Sequence, residues 1–232
     1  MKKQVGAVIV AAGKGSRMGT PESKQYLRLE GKPILIHTMM QFEQMSWVDE
    51  IVLVVGAQDV ERCTGWVEEF NLRKVTHIVA GGAERQYSVY QGLLAANTEW
   101  VLIHDGVRPF VTEERVRACY EAAVQQGASV LAVPVKDTIK QVNEAGMIVH
   151  TPDRRSLWAI QTPQAFRRSD VLRAHEQAVQ DQVVGTDDAM LVERLGIGVH
   201  VVEGEYTNIK ITTPEDLVSA QFWLQQMREE QS

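Results

Sequence analysis

The sequence has few cysteines, no long apolar run and no excess of basic charge, and each shortage closes off a class of function. Cys63 and Cys119 are its only cysteines. They form no CxxC pair and sit beside no histidine cluster at metal-ligand spacing, so two buried thiols in a reducing cytoplasm are expected rather than a disulfide framework or a zinc site. No stretch approaches the ~18 consecutive apolar residues of a membrane span. With 24 Lys and Arg against 30 Asp and Glu, a formal net charge of -6, the chain lacks the basic footprint of a general nucleic-acid binder. Any cluster of cations is then a local anion site. Repeats, low-complexity tracts and linkers are also missing, and 232 residues at 44% hydrophobic content suffice for the core of one compact domain.

What is present starts with Val5 to Val10, a short, β-branched run that suits a parallel strand covered on both faces. It leads into AAGKGSRM, Ala11 to Met18. A P-loop is excluded, because Val8 stands where its first glycine belongs and Gly15 where its Ser or Thr belongs. A dinucleotide fingerprint is incomplete, with Met18 in place of the third glycine. Met1-Lys2-Lys3 before an apolar stretch imitates a secretory signal, but cleavage near Ala12 would remove the first core strand. The remaining readings are a tight glycine turn or a polyphosphate cradle, in which backbone N–H groups supply direction and Arg17 and Lys24 supply charge.

Further strands are predicted at Ile51 to Val55, Val75 to Val79, Trp100 to His104, Val130 to Val133 and Val199 to Val202, with helical patterns between most of them. That alternation predicts an α/β fold: a single Rossmann-like domain with a mostly parallel sheet. Thr112 before EERVRACYEAAVQQ and Thr213-Pro214-Glu215-Asp216 read as helix starts. Between Pro134 and Gln161, Thr138 to Val142 and Met147 to Thr151 flank a turn at Asn143 to Gly146. An isolated hairpin is marginal in water, so residues 136–160 are expected to form a β-arm lying on a partner subunit.

In open α/β sheets ligands bind beyond the carboxyl ends of the strands, and three polar signals fall there. Besides the first loop, Gly81-Gly82 would let a flat base approach the backbone, with Ser88 one turn into the next helix. Asp105, ending WVLIHD, reads either as a helix-capping or turn aspartate or as a carboxylate in reach of a divalent ion, since Mg2+ takes one or two carboxylates together with phosphate oxygens and water. Arg108-Pro109 adds a cation on a stiffened turn. His104 reads as a packed strand residue, because nothing pairs it with a nucleophile.

AAGKGSRM, Lys24-Gln25-Tyr26, GKPILIHT, GGAERQYSV, HDGVRPF, PVKDTIK, SLWAIQTPQ and VEGEYTNIKITTPEDL together resemble the 2-C-methyl-D-erythritol 4-phosphate cytidylyltransferases of the non-mevalonate isoprenoid pathway, in family order and over almost the whole chain. The resemblance implies transfer of CMP from CTP to a sugar-alcohol phosphate with Mg2+ bound. It also implies a cytoplasmic homodimer with exchanged β-arms and no nucleic-acid or membrane partner. It places Arg17 and Lys24 on the triphosphate and Asp105 on the metal. Arg154 and Lys210 would position the sugar phosphate in a pocket that Thr138 and Arg108 also line. Ala11, Ala12, Gly13, Gly81, Gly82 and Ser88 would hold the cytidine nucleotide. Two alternatives stand beside it: a ribitol 5-phosphate cytidylyltransferase, whose turn often carries valine where Val107 stands, and a nucleotide sensor without turnover.

Overall fold

The computed structural model describes residues 4–13 and 22–229. Seven strands make one sheet: β1 (Val5–Ala11), β4 (Glu50–Val55), β5 (Val75–Ala80), β6 (Trp100–Asp105), β7 (Ala128–Pro134), β10 (Trp158–Arg167) and β11 (His200–Glu203). Their order is β11-β7-β10-β6-β1-β4-β5. All run the same way except β10, which pairs antiparallel with both β6 and β7. Each predicted strand is present, so the mostly parallel sheet is as expected. β10 is the addition. Its sequence, WAIQTPQAFR, carries a mid-run proline that argues against a central strand. The chain accommodates it with a register shift between Ile160 and Gln164, at the cis Thr162-Pro163 bond.

Alternate side chains of the strands feed two cores, as the two-residue period of a strand requires. Ala7, Ile9, Ile51, Leu53, Val55 and Leu102 face α1 (Ile34–Gln44), α2 (Val60–Glu69) and α4 (Glu113–Gln126). Val8, Val52, Val54, Val101 and Ile103 face α3 (Arg85–Ala95), α5 (Arg168–Gln180) and α6 (Asp188–Glu193). Gly92 lets α3 lie close against β1 and β4: a Cβ there would come within 2.4 Å of Val8 Cγ1 and 2.8 Å of Val54 Cγ2. Burial pushes the thiols of Cys63 and Cys119 up to about 11 and about 12, which leaves them inert packing groups.

A third small core joins α7 (Pro214–Glu229) to the loop after β6 and to the hairpin β2 (Arg28–Leu29) and β3 (Lys32–Pro33), through Leu29, Val107, Ile211 and Ala220. Thr213 starts α7 as expected: its hydroxyl accepts the Asp216 N–H at 3.3 Å, and Asp216 Oδ2 accepts the Thr213 N–H at 2.9 Å. Thr112 differs. It precedes α4, but its side chain makes no cap and donates instead to Glu205 Oε2 at 3.4 Å.

The segment between β7 and β10 leaves the sheet as a hairpin, β8 (Gln141–Val142) and β9 (Ile148–His150), with shorter strands than the sequence suggested. Residues 158–160, which the sequence pattern groups with the arm, already pair with β7. The arm is clamped where it departs. Val135 N–H donates to Leu157 O at 3.0 Å, Tyr206 Oη donates to Pro134 O at 2.7 Å, and Lys136 Nζ lies 3.4 Å from the centre of the Tyr206 ring. Farther out, Val142, Met147, Ile148 and Val149 are each more than half exposed.

Candidate active site

The carboxyl ends of β1, β5 and β6 open into a cleft of about 530 Å³. Ala11, Ala12 and Gly13 form one wall. They are held from behind by Gln25, a buried side chain whose amide donates to Ala11 O at 2.7 Å and Gly13 O at 3.0 Å. Its neighbour Lys24 opens a short 3-10 turn, Lys24–Tyr26, and lines the cleft. Gly82 and Ser88 form the facing wall. Ser88 Oγ accepts the Gly82 N–H at 3.1 Å and donates to Glu84 O at 3.1 Å, so this hydroxyl shapes the loop. Gly81 stands behind that wall; a Cβ there would fall 2.5 Å from Ala12 Cβ and 2.6 Å from Ser88 Oγ. Arg17 lies outside the described residues.

A second cavity, about 300 Å³, adjoins the first and is bordered by Arg108, Thr162, Gln164 and Asp187. Asp105, Arg85 and Lys210 border both cavities and form the seam between them. Asp105 Oδ1 accepts Arg85 Nε at 3.2 Å, Oδ2 lies 2.8 Å from Lys210 Nζ, and Arg108 Nε stands 3.7 Å from Oδ2. Burial alone would raise the Asp105 pKa, but Arg85, Lys210 and Arg108 outweigh it and hold the carboxyl far below the usual carboxylate range. Arg85 is anchored from beneath by Asp188 Oδ2 at 2.8 Å, and Asp188 Oδ1 lies 3.1 Å from His175 Nε2. Burial disfavours the Arg85 charge, yet Asp188 and Asp105 more than restore it.

The structure thus brings together Lys24, Asp105, Arg108 and Lys210 with the three glycine-loop residues, Gly82 and Ser88. It adds Gln25, Arg85 and Asp188, to which the sequence pattern assigns no role. Arg154 and Thr138 are not brought in. Both lie in the arm, line neither cavity, and Arg154 Nη1 donates to Lys136 O at 2.7 Å.

Among the described residues no three His, Cys, Asp or Glu side chains gather to hold a metal. One carboxylate in a cation cluster fits a divalent ion only if phosphate oxygens and water complete its shell, which is how Mg2+ is usually bound beside nucleotides.

A family model for 2-C-methyl-D-erythritol 4-phosphate cytidylyltransferase matches residues 5–226. The chain belongs to this family. It is 51% identical to the cytidylyltransferase of Alkaliphilus metalliredigens (strain QYMF), over 97% of this chain and 95% of the relative. The crystal structure of 4-diphosphocytidyl-2C-methyl-D-erythritol synthase from Anaerococcus prevotii DSM 20548 is similar over 97% of both chains, with 35% identity and a TM-score of 0.86. That of the cytidylyltransferase from Thermus thermophilus covers 96% of this chain and 98% of its own, with 33% identity and a TM-score of 0.78. This cytidylyltransferase therefore transfers CMP from CTP to 2-C-methyl-D-erythritol 4-phosphate, releasing pyrophosphate. The ribitol and sensor readings fall away. No helix among the described residues is long and apolar enough to cross a membrane.

Proposed function

We propose that transfer occurs at the Asp105 seam by a single in-line displacement. A phosphate oxygen of the sugar phosphate, held in the smaller cavity, attacks the α-phosphorus of CTP held in the larger one. The new O–P bond forms as the bond to the β-phosphate bridging oxygen breaks, and both electrons leave with pyrophosphate. The observation that carries this reading is that two adjacent cavities share one charged border. Two polyanions have to meet there. Arg85, Arg108 and Lys210 offset their repulsion, while Lys24 faces the triphosphate with Arg17 assigned beside it by family resemblance.

Backbone groups of Ala11 to Gly13 and the turn at Gly81-Gly82 fix the nucleotide; the attacking phosphate oxygen is already anionic, so no protein nucleophile or general base is needed. Asp105 is the residue that would hold Mg2+ together with phosphate oxygens. The ion, when bound, neutralises charge on the triphosphate. The exposed apolar arm is assigned to a homodimer interface that carries Arg154 and Thr138 to the partner's smaller cavity. The two inert buried thiols suit a cytoplasmic enzyme.

Stereochemistry tests the single displacement. CTP carrying a chiral α-phosphorothioate should give product with inverted configuration at phosphorus. Retention would mean two successive displacements through a nucleotidyl-enzyme and would overturn the reading.

A further inference from the structure

We propose that His104 is a positioning residue for this reaction, a buried imidazole that fixes both the carboxylate end of β6 and the Arg108 turn. The inference rests on the roles given above to Asp105 and Arg108. His104 is wholly buried, lines neither cavity and precedes Asp105 in the strand. Its Nε2 lies 3.0 Å from the Arg108 carbonyl oxygen and its Nδ1 lies 3.0 Å from Thr162 Oγ1. A carbonyl only accepts, so Nε2 carries the proton, and in the neutral ring Nδ1 is then the acceptor.

That assignment fixes the rest of the chain of bonds. The single hydroxyl proton of Thr162 is committed to Nδ1, which leaves Thr162 Oγ1 to accept the Asp105 N–H at 3.1 Å. One ring therefore reaches Asp105 through Thr162 on one side and Arg108 directly on the other. The Phe42 ring, its centre 5.0 Å away, holds the imidazole in place. The Arg108 guanidinium is in turn tied to Asn208 O at 2.6 Å and stands 3.7 Å from Asp105. The main chain at residue 108 sets where that guanidinium stands at the border of the smaller cavity. A buried histidine that only fills space would not join these two bonds to the two charged groups of the seam.

The two ring nitrogens can be tested separately, because an asparagine amide reaches approximately where Nδ1 lies and a glutamine amide where Nε2 lies. His104→Gln keeps a donor for the Arg108 carbonyl and loses the Thr162 contact; kcat should fall at least about tenfold with the sugar-phosphate KM within about twofold. His104→Asn keeps an acceptor for Thr162 and releases Arg108; the sugar-phosphate KM should rise at least about tenfold with kcat within about threefold. Equal effects in the two variants, scaling with loss of folded protein, would overturn the inference.

Should either variant fail to fold, Thr162→Val removes the same hydroxyl from the other side and should reproduce the kcat loss; unchanged kcat counts against the proposal. Long-range 1H–15N spectra of the wild-type enzyme should show His104 protonated at Nε2, and protonation at Nδ1 would overturn the bond assignment. Asp105→Asn and Arg108→Ala are measured alongside. Full activity in those two would sink the reading of the seam, whereas crippled activity there with unaffected His104 variants sinks the positioning role alone.

Discussion

Lys210 Nζ lies 2.8 Å from Asp105 Oδ2, while Arg85 Nε takes the other carboxylate oxygen at 3.2 Å. The proposed metal ligand is thus engaged by the chain's own cations before nucleotide arrives. Divalent-ion binding should then depend on CTP, whose phosphates draw those cations away and complete the ion's shell. In Mn2+ titrations followed by electron paramagnetic resonance, the enzyme alone should bind no ion at millimolar concentration, and the enzyme with CTP should bind one. Tight binding without nucleotide would contradict this order.

Asp105→Asn should remove nearly all turnover. It should also destabilise the protein by about 2 kcal/mol, since it leaves the largely buried Arg108 and the partly exposed Arg85 and Lys210 without their shared counter-charge. Because the folded carboxyl has a depressed pKa, its stabilising contribution is complete above the unfolded value of about 4 and is lost as pH falls below it. Denaturant melts of the two proteins at pH 7 should differ by that amount, and the difference should narrow in acid below pH about 4.

His104 is pushed down to about 4 by burial, chiefly because the charged ring would lose its hydration. The Arg108 carbonyl, which accepts from the ring, and nearby Asp105 favour the charged form, while the Arg108 guanidinium opposes it. A histidine with a depressed folded pKa binds its proton more readily when unfolded. Its contribution is complete above about 6.5 and is lost as pH falls toward 4, an order of about 3 kcal/mol. Urea melts between pH 7 and 4 should show this slope in the wild type and a shallower one in His104→Gln.

Gly81→Ala should damage nucleotide binding more than the fold. The added methyl meets Ala12 and Ser88, which form opposite walls of the larger cleft. Relieving that clash costs about 1–3 kcal/mol and shifts the walls. The KM for CTP should rise at least about tenfold while the KM for the sugar phosphate changes little. An unchanged CTP KM would show that the wall yields elsewhere.

Subunit mixing tests the arm. Arg154→Ala and Lys24→Ala chains should each be inactive alone. After exchange, a hybrid dimer would hold one pocket with both wild-type residues, so roughly a quarter of all pockets should recover. No recovery after verified exchange would place Arg154 on its own subunit's site or on none.

Much of this architecture can be read from the chain because its signals are local. Val5 to Val10 and Ile51 to Val55 announce buried parallel strands by composition alone, and the glycine turns and Asp105 fall at strand ends where ligands bind. β10 stayed hidden because its polar Gln161 and Gln164 and its Pro163 violate the strand pattern, and what stabilises it is pairing with β6 and β7. The Arg85–Asp188 pair was equally hidden. Its partners lie 103 residues apart, and no spacing rule connects them. Nothing in the sequence around Gln25 marks its role; only folding shows its amide holding the Ala11 to Gly13 backbone.

The reversed direction of β10 decides where the arm emerges. The chain leaves the sheet at Pro134 and re-enters at Trp158, directly opposite it, on the same edge as both cavities. A parallel strand in that slot would have required a crossover to the far edge. The excursion is therefore a closed loop with adjacent ends. Residues 137–155 should be replaceable by a tight turn without unravelling the sheet, giving a shortened chain that still folds and binds CTP but fails to join its substrates.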